Sequence, residues 1–154
     1  MLFLLVVKAA ITPMTSGIAP YAQRLIYSEK GIKMTPEQLV QGQLDAYNAH
    51  DLDAFLRFFS DKVAVIRPPA SKPVLQGKTE FTEFYRKERF CVPTLHAEVS
   101  NRMVLGNKVI DHEHITGLGP DAFEVAVVYE IQDGLIQTLW SFGADKIQGI
   151  PSHD

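Results

Sequence analysis

The chain has 154 residues, 46% hydrophobic and 21% charged, a composition that suits one globular domain with a core of useful size. Its net charge of −3 argues against a nucleic-acid surface, and the densest basic cluster, Arg86-Lys87-Glu88-Arg89, is broken by an acid and too short to hold a membrane. The single cysteine, Cys91, excludes an internal disulfide and fits a reducing cytoplasm.

At the N-terminus, Leu2 to Val7 form an apolar run. No basic residue precedes it and Lys8 interrupts it, so it suits neither a secretory signal nor a membrane span. Lys30-Gly31 is encoded AAR-GGN, which can contain the purine-rich AAGG of a bacterial ribosome-binding site, two codons before Met34. Translation is therefore expected to begin at Met34, with residues 1–33 an extension from a misassigned start. Without them the chain keeps 11 of 15 basic and 17 of 18 acidic residues, a net charge of −6. The expected division is an extension over 1–33, one domain over 34–145 and a tail over 146–154.

After Met34, Thr35-Pro36-Glu37-Gln38 reads as a helix start: Thr35 caps, Pro36 suits the first turn and Gln38 closes a capping box. Leu39, Val40, Leu44 and Tyr47 continue at helical spacing to about Ala49. Asp51 caps a second helix, LDAFLRFF, with Leu52, Phe55, Phe58 and Phe59 on its apolar side. A short strand, VAVIR, ends in a loop that Pro68, Pro69 and Pro73 enforce. Gly77 to Thr79 opens a third helix with Phe81, Phe84 and Tyr85 inward.

From Thr94 the pattern changes to strands: LHAEVSNRMVL, a turn at Gly106-Asn107, KVIDHEHIT, a loop at Gly117–Pro120, AFEVAVVYEI, a tight turn at Asp133-Gly134, and LIQTLWSF. Three helices and an antiparallel meander make an α+β domain. The penultimate strand is apolar on both faces, with Phe123, Val125, Val127 and Tyr129 on one and Ala126 and Val128 on the other. Helices cover one face only, so Phe123, Val125, Val127 and Tyr129 are expected to form the outer face and to meet a second copy of the chain.

The segments AYNAHDLDAFLRFFSDKVAVIRP, LQGKTEFTEFYRKE and VAVVYEIQDGLIQTLW, in this order and spacing, resemble the nuclear transport factor 2-like superfamily, nearest its SnoaL-like and steroid-isomerase-like bacterial branch. The resemblance spans Met34 to about Phe142. It implies a cone-shaped α+β fold, three N-terminal helices packed on a curved antiparallel sheet. It also implies an enclosed pocket for a small hydrophobic molecule and a homodimer through the sheet. The match departs from ketosteroid isomerase at both of its acids. Aligned on the proline after the first strand, Arg67 stands at the catalytic aspartate; aligned on the last hairpin, Ala126 stands at the proton-donating one. The Asp-Arg-Asp set of limonene epoxide hydrolase finds no match either.

Candidate chemistry centres on Asp111-His112-Glu113-His114. Strand side chains alternate faces, and the isomerase-like hairpin spacing puts Asp111, Glu113 and Ala126 inward and both histidines outward. Buried carboxyls in an apolar cavity have raised pKa values, which suits general acid–base work. The expected catalytic set is Glu113 with Asp111 and Arg67, the last as a cation for an anionic or enolate oxygen. Weighed against it is a buried ion pair of these acids with Arg67, Arg102 or His96. Two strand histidines without a third ligand make no metal site, and no cofactor is expected. The pocket lining is expected to include Tyr47, Phe55, Phe58 and Tyr85 from the helices, the tyrosines as core aromatics with bonded hydroxyls. The sheet is expected to add His96, Ala126, Val128, Leu139 and Ser141. Trp140 and Phe142 are expected at the core or the interface. The expected function is proton transfer or water activation on a hydrophobic substrate, with a non-catalytic binding or association module as the alternative.

Overall fold

The computed structural model describes residues 33–143. The chain divides into two units, residues 1–32 and 33–154, and every helix and strand named below belongs to the second. The expectations for residues 1–32 and for the tail lie outside the described residues.

Helix α1, Pro36–Asn48, starts as its sequence predicts. The Thr35 hydroxyl accepts from Gln38 N at 3.2 Å and the Gln38 side chain returns to Thr35 N at 2.9 Å. Asp51 caps α2, Leu52–Leu56, by accepting from Ala54 N at 2.9 Å. The chain then runs through β1, Phe59–Ile66, and β2, Pro73–Gln76, into α3, Gly77–Glu88. Strands β3, His96–Leu105, β4, Lys108–Thr116, β5, Phe123–Gln132, and β6, Leu135–Gly143, complete it.

The six strands form one sheet in the order β2-β1-β6-β5-β4-β3. Two expectations need correction. The sheet is mixed, because β1 runs parallel to β6. The proline-rich segment, expected as loop, carries β2 at its end, antiparallel to β1 on the sheet edge, where a proline costs no ladder bond. Register shifts between Val65/Ile66, Val99/Asn101 and Glu130/Ile131 each add a local bend and twist, which curves the sheet.

The second helix is also shorter than expected. It stops at Leu56, so Phe58 leaves the helical phase and Phe59 opens β1. Phe58 is buried against α1 at Gly42, where any Cβ would come within 2.4 Å of the ring. Phe55 remains central, with ring centroids of Phe59, Phe81, Tyr85, Phe90 and Tyr47 at 4.7 to 5.9 Å. Rings at such spacings add to the area they bury. At the other end of the helical layer, Asn48 clips α1 to the edge strand, donating to Ala97 O at 2.8 Å and accepting from Ala97 N at 2.9 Å.

Candidate functional site

On β4 the alternation falls as predicted. Val109, Asp111, Glu113 and Ile115 are buried on the inner face. His112 and His114 take the other face, where His112 Nε2 lies 3.0 Å from Glu124. On β5 the expected phase is reversed. Glu113 pairs with Val125, and His112 with Ala126. Val125, Val127 and Tyr129 therefore face inward with Glu113, while Ala126 and Val128 face outward beside Phe142 and Trp140. A one-residue slip in a strand moves every side chain to the opposite face, and the loop over 117–122 is long enough to leave that slip undetermined.

The inner face and the helices enclose a cavity of about 120 Å³. Of the residues expected to line it, Tyr47, Phe55, Tyr85, Leu139, Ser141, Glu113 and Arg67 do so. Phe58 does not, being packed on Gly42. His96 is exposed and pairs with Thr116 on the outer side; its neighbour Ala97 is the one turned inward. Ala126 and Val128 are lost to the reversed phase, and Val125, Val127 and Tyr129 stand in their place.

Asp111 shares the inner face but not the cavity. It is fully buried and held by Arg102 through two parallel bonds, Nε to Oδ1 and Nη2 to Oδ2, both 2.7 Å. Arg102 Nη1 donates in turn to Gln41 Oε1 at 2.7 Å. This is the buried ion pair weighed from the sequence, made by Asp111 alone. Both carboxylate oxygens are engaged by the one guanidinium, so Asp111 is an anchored partner next to the site.

Among the described residues Glu113 has no ion-pair partner. Its side chain, 7% exposed, forms part of the cavity floor and accepts a 2.8 Å bond from the Tyr129 hydroxyl. The Gln43 amide donates to that hydroxyl at 3.3 Å. Burial lifts the Glu113 carboxyl from 4.5 to about 7, and the Asp111 charge adds to the rise; the Tyr129 bond and the Arg102 charge oppose it. Burial also pushes the Tyr85 phenol up to about 12 and holds those of Tyr47 and Tyr129 well above the ordinary tyrosine value. Near neutral pH the three tyrosines are protonated hydrogen-bond donors, and the Glu113 carboxyl lies close to its midpoint.

Sequence reasoning missed Gln43 and misassigned Tyr129. Gln43 had a signal: it is a polar residue in the apolar phase of α1, three after Val40 and four before Tyr47, and such residues are buried with a partner. Tyr129 had one too. Glu124, Glu130 and Gln132 share its strand and occupy the opposite phase, so burying the even positions would have buried charge.

The lining grades from this floor to a mouth. Gln43, Glu113 and Tyr129 are buried; Phe84, Arg89 and Leu118 are half-buried; Arg67 and Phe123 are exposed. What the cavity offers is therefore an apolar and aromatic wall, one acid near its working range at the base, and two guanidinium groups toward solvent.

Comparison with known proteins adds the lineage. A family model described as SnoaL-like domain matches residues 40–138. Among solved structures, an uncharacterized cystatin-fold protein from Novosphingobium aromaticivorans is 22% identical with a TM-score of 0.64, the match covering 70% of this chain and 97% of that one. A candidate ketosteroid isomerase from Kribbella flavida gives 19% and 0.64, over 75% of this chain and 82% of that one. An LEH-like epoxide hydrolase of M. tuberculosis gives 17% and 0.58, over 71% and 82%. At these identities the likeness is one of fold. No curated protein matches the chain. The family match runs from α1 into β6 and takes in the whole floor of the cavity, and the chain belongs to the SnoaL-like family of the nuclear transport factor 2-like superfamily.

Proposed function

We propose that the protein is a small enzyme that transfers a proton within this cavity, with Glu113 as its general base and acid. The observation that carries the reading is a buried carboxyl at the cavity floor, in no ion pair among the described residues, hydrogen-bonded to Tyr129, and with its pKa lifted to about 7. A group near neutrality is half ionised at working pH and both takes and returns a proton with little driving force lost. Glu113 accepts a proton from a carbon next to a carbonyl, or from a water set against a bound electrophile, and gives it back at the product stage. Tyr129 holds the carboxyl in one orientation, steadied by Gln43. Asp111 acts at one remove, since its fixed charge raises the Glu113 pKa. Arg67 serves the ligand at the mouth rather than the proton at the floor. The wall of Tyr47, Phe55, Val127 and Leu139 suits an apolar substrate body.

We assign the protein to the cytoplasm on its one free cysteine, Cys91; no helix of the described residues is long and apolar enough to cross a membrane. Small ring-sized ketones and esters incubated with the protein in D2O test the proton-transfer reading. Deuterium should enter the position next to the carbonyl with wild type, as NMR reads it, and Glu113→Gln should abolish the exchange with the fold intact. Compounds that bind but exchange equally with both proteins would favour a binding module without turnover.

A further inference from the structure

Two arginines reach the cavity mouth, and among the described residues no acid pairs with them. Arg67 follows the end of β1 and Arg89 follows α3, and both line the cavity. Their guanidinium carbons stand 6.0 and 4.9 Å from the centre of one ring, that of Phe84. Among the described residues neither has a carboxylate within ion-pair distance. Arg89 Nη1 donates to the Glu88 carbonyl at 2.9 Å. Glu83 is paired with Arg86 and Lys87 and Asp111 with Arg102, and Glu88, next to Arg89 in the chain, forms no ion pair with it. Cations over an aromatic face are held in place without losing their donors, and the guanidinium fork matches a planar carboxylate.

The floor acid does not neutralise this pair. The charges that act on Glu113 are those of Asp111 and Arg102. Tyr85 lines the same cavity and feels Arg89, Glu113 and Arg67. The cavity is therefore polar along its length, cationic at the mouth and acidic at the base. An anion entering charge-first meets Glu113; entering tail-first it leaves its charge with the arginines. Size sets a second limit. At about 120 Å³ the cavity is close to the ~150 Å³ engineered cavity that accepts benzene, a space of about one ring.

We propose that Arg67 and Arg89, braced on Phe84, form an anion-binding mouth, and that the natural ligand is a small organic carboxylate of about one ring in size, held by its charge at the mouth with its neutral end toward Glu113. This rests on the cavity being a ligand site, as read above, and not on any chemistry at Glu113.

Calorimetric titration of the full chain with benzoate, benzamide and phenyl phosphate, at pH 8 and low salt, tests the inference. Benzoate should bind about tenfold or more tightly than benzamide, and added NaCl should shrink the gap. The double variant Arg67→Gln/Arg89→Gln should lose the preference for benzoate while keeping its affinity for benzamide and its melting temperature. Equal binding of benzoate and benzamide, no binding of benzoate, or a double variant that holds benzoate unchanged would overturn it. Tighter binding of phenyl phosphate than of benzoate would overturn the carboxylate assignment. All of these are binding readouts, so their failure leaves proton transfer by Glu113 standing, and a failed deuterium exchange leaves the anion mouth standing.

Discussion

Tyr129 is the residue on which the poise of Glu113 depends. Its hydroxyl donates to the carboxyl at 2.8 Å, a bond that favours the ionised form and works against the larger effect of burial. Tyr129→Phe should therefore move the Glu113 midpoint above its value of about 7. Carboxyl 13C NMR across a pH series measures it, and a midpoint that stays or falls would contradict the assignment. The same pair shows what a sequence can tell at this scale. That Glu113 and Asp111 turn inward follows from alternation, because His112 and His114 occupy the other phase. That Arg102, rather than Arg67, takes Asp111 does not follow. It depends on the pairing of Arg102 with Asp111 across β3 and β4, reached only after a register shift between Val99 and Asn101. Such a bulge adds one residue to a strand without any composition that marks it.

At the scale of elements, caps and turns were legible and phases across long loops were not. Thr35, Asp51 and the Asp133-Gly134 turn act where their chemistry says; Asp133 and Gly134 have φ of 52° and 78°, the left-handed pair of a tight hairpin. The β5 register was carried over from a hairpin spacing, and the polar residues at Glu124, Glu130 and Gln132 were the better guide. One position in the loop between β4 and β5 admits only glycine. Gly117 has φ of 83°, and a Cβ there would meet Thr94 O at 1.9 Å. Thr94 Oγ1 also donates to Gly117 O at 3.0 Å, closing the segment over the end of β3. Gly117→Ala should lower stability by more than ~1 kcal/mol, from the left-handed backbone and the clash together. Urea unfolding would show it, and an unchanged midpoint would refute the close approach.

For the molecule as a whole, the outer face of the sheet is the feature left without a cover among the described residues. Met103, Ile110, Val128, Trp140 and Ile66 form one cross-strand row, with Phe142 and Ala126 alongside. Met103 is 56% and Phe142 42% exposed. A row of this kind suits a second copy of the chain, on the outer face but through the β5 residues opposite in phase to those the sequence suggested. Light scattering at micromolar concentration should give a dimer, and Val128→Asp a monomer; a wild-type monomer would count against the assembly. A chain starting at Met34 keeps every cap, strand and cavity residue described, so its melting temperature should match that of the full chain. A large drop would show that residues 1–33 belong to the domain.

A buried carboxyl lifted toward neutrality also leaves a signature in the stability of the whole chain. The folded pKa of Glu113, about 7, lies above its ordinary value of 4.5. Between these values the folded state binds the proton and the unfolded state does not, so stability falls as pH rises through this window. The loss amounts to about 3.5 kcal/mol at most, taking ~1.4 kcal/mol for each pH unit. Glu113→Gln cannot ionise and escapes it. The direct measurement is the difference in unfolding free energy between Glu113→Gln and wild type from pH 4 to 9. Almost no difference is predicted at pH 4, then a growing advantage for the variant above about pH 4.5, and a plateau beyond about pH 7. A difference that stays flat across the range would contradict the lifted pKa and, with it, the role of Glu113 in proton transfer.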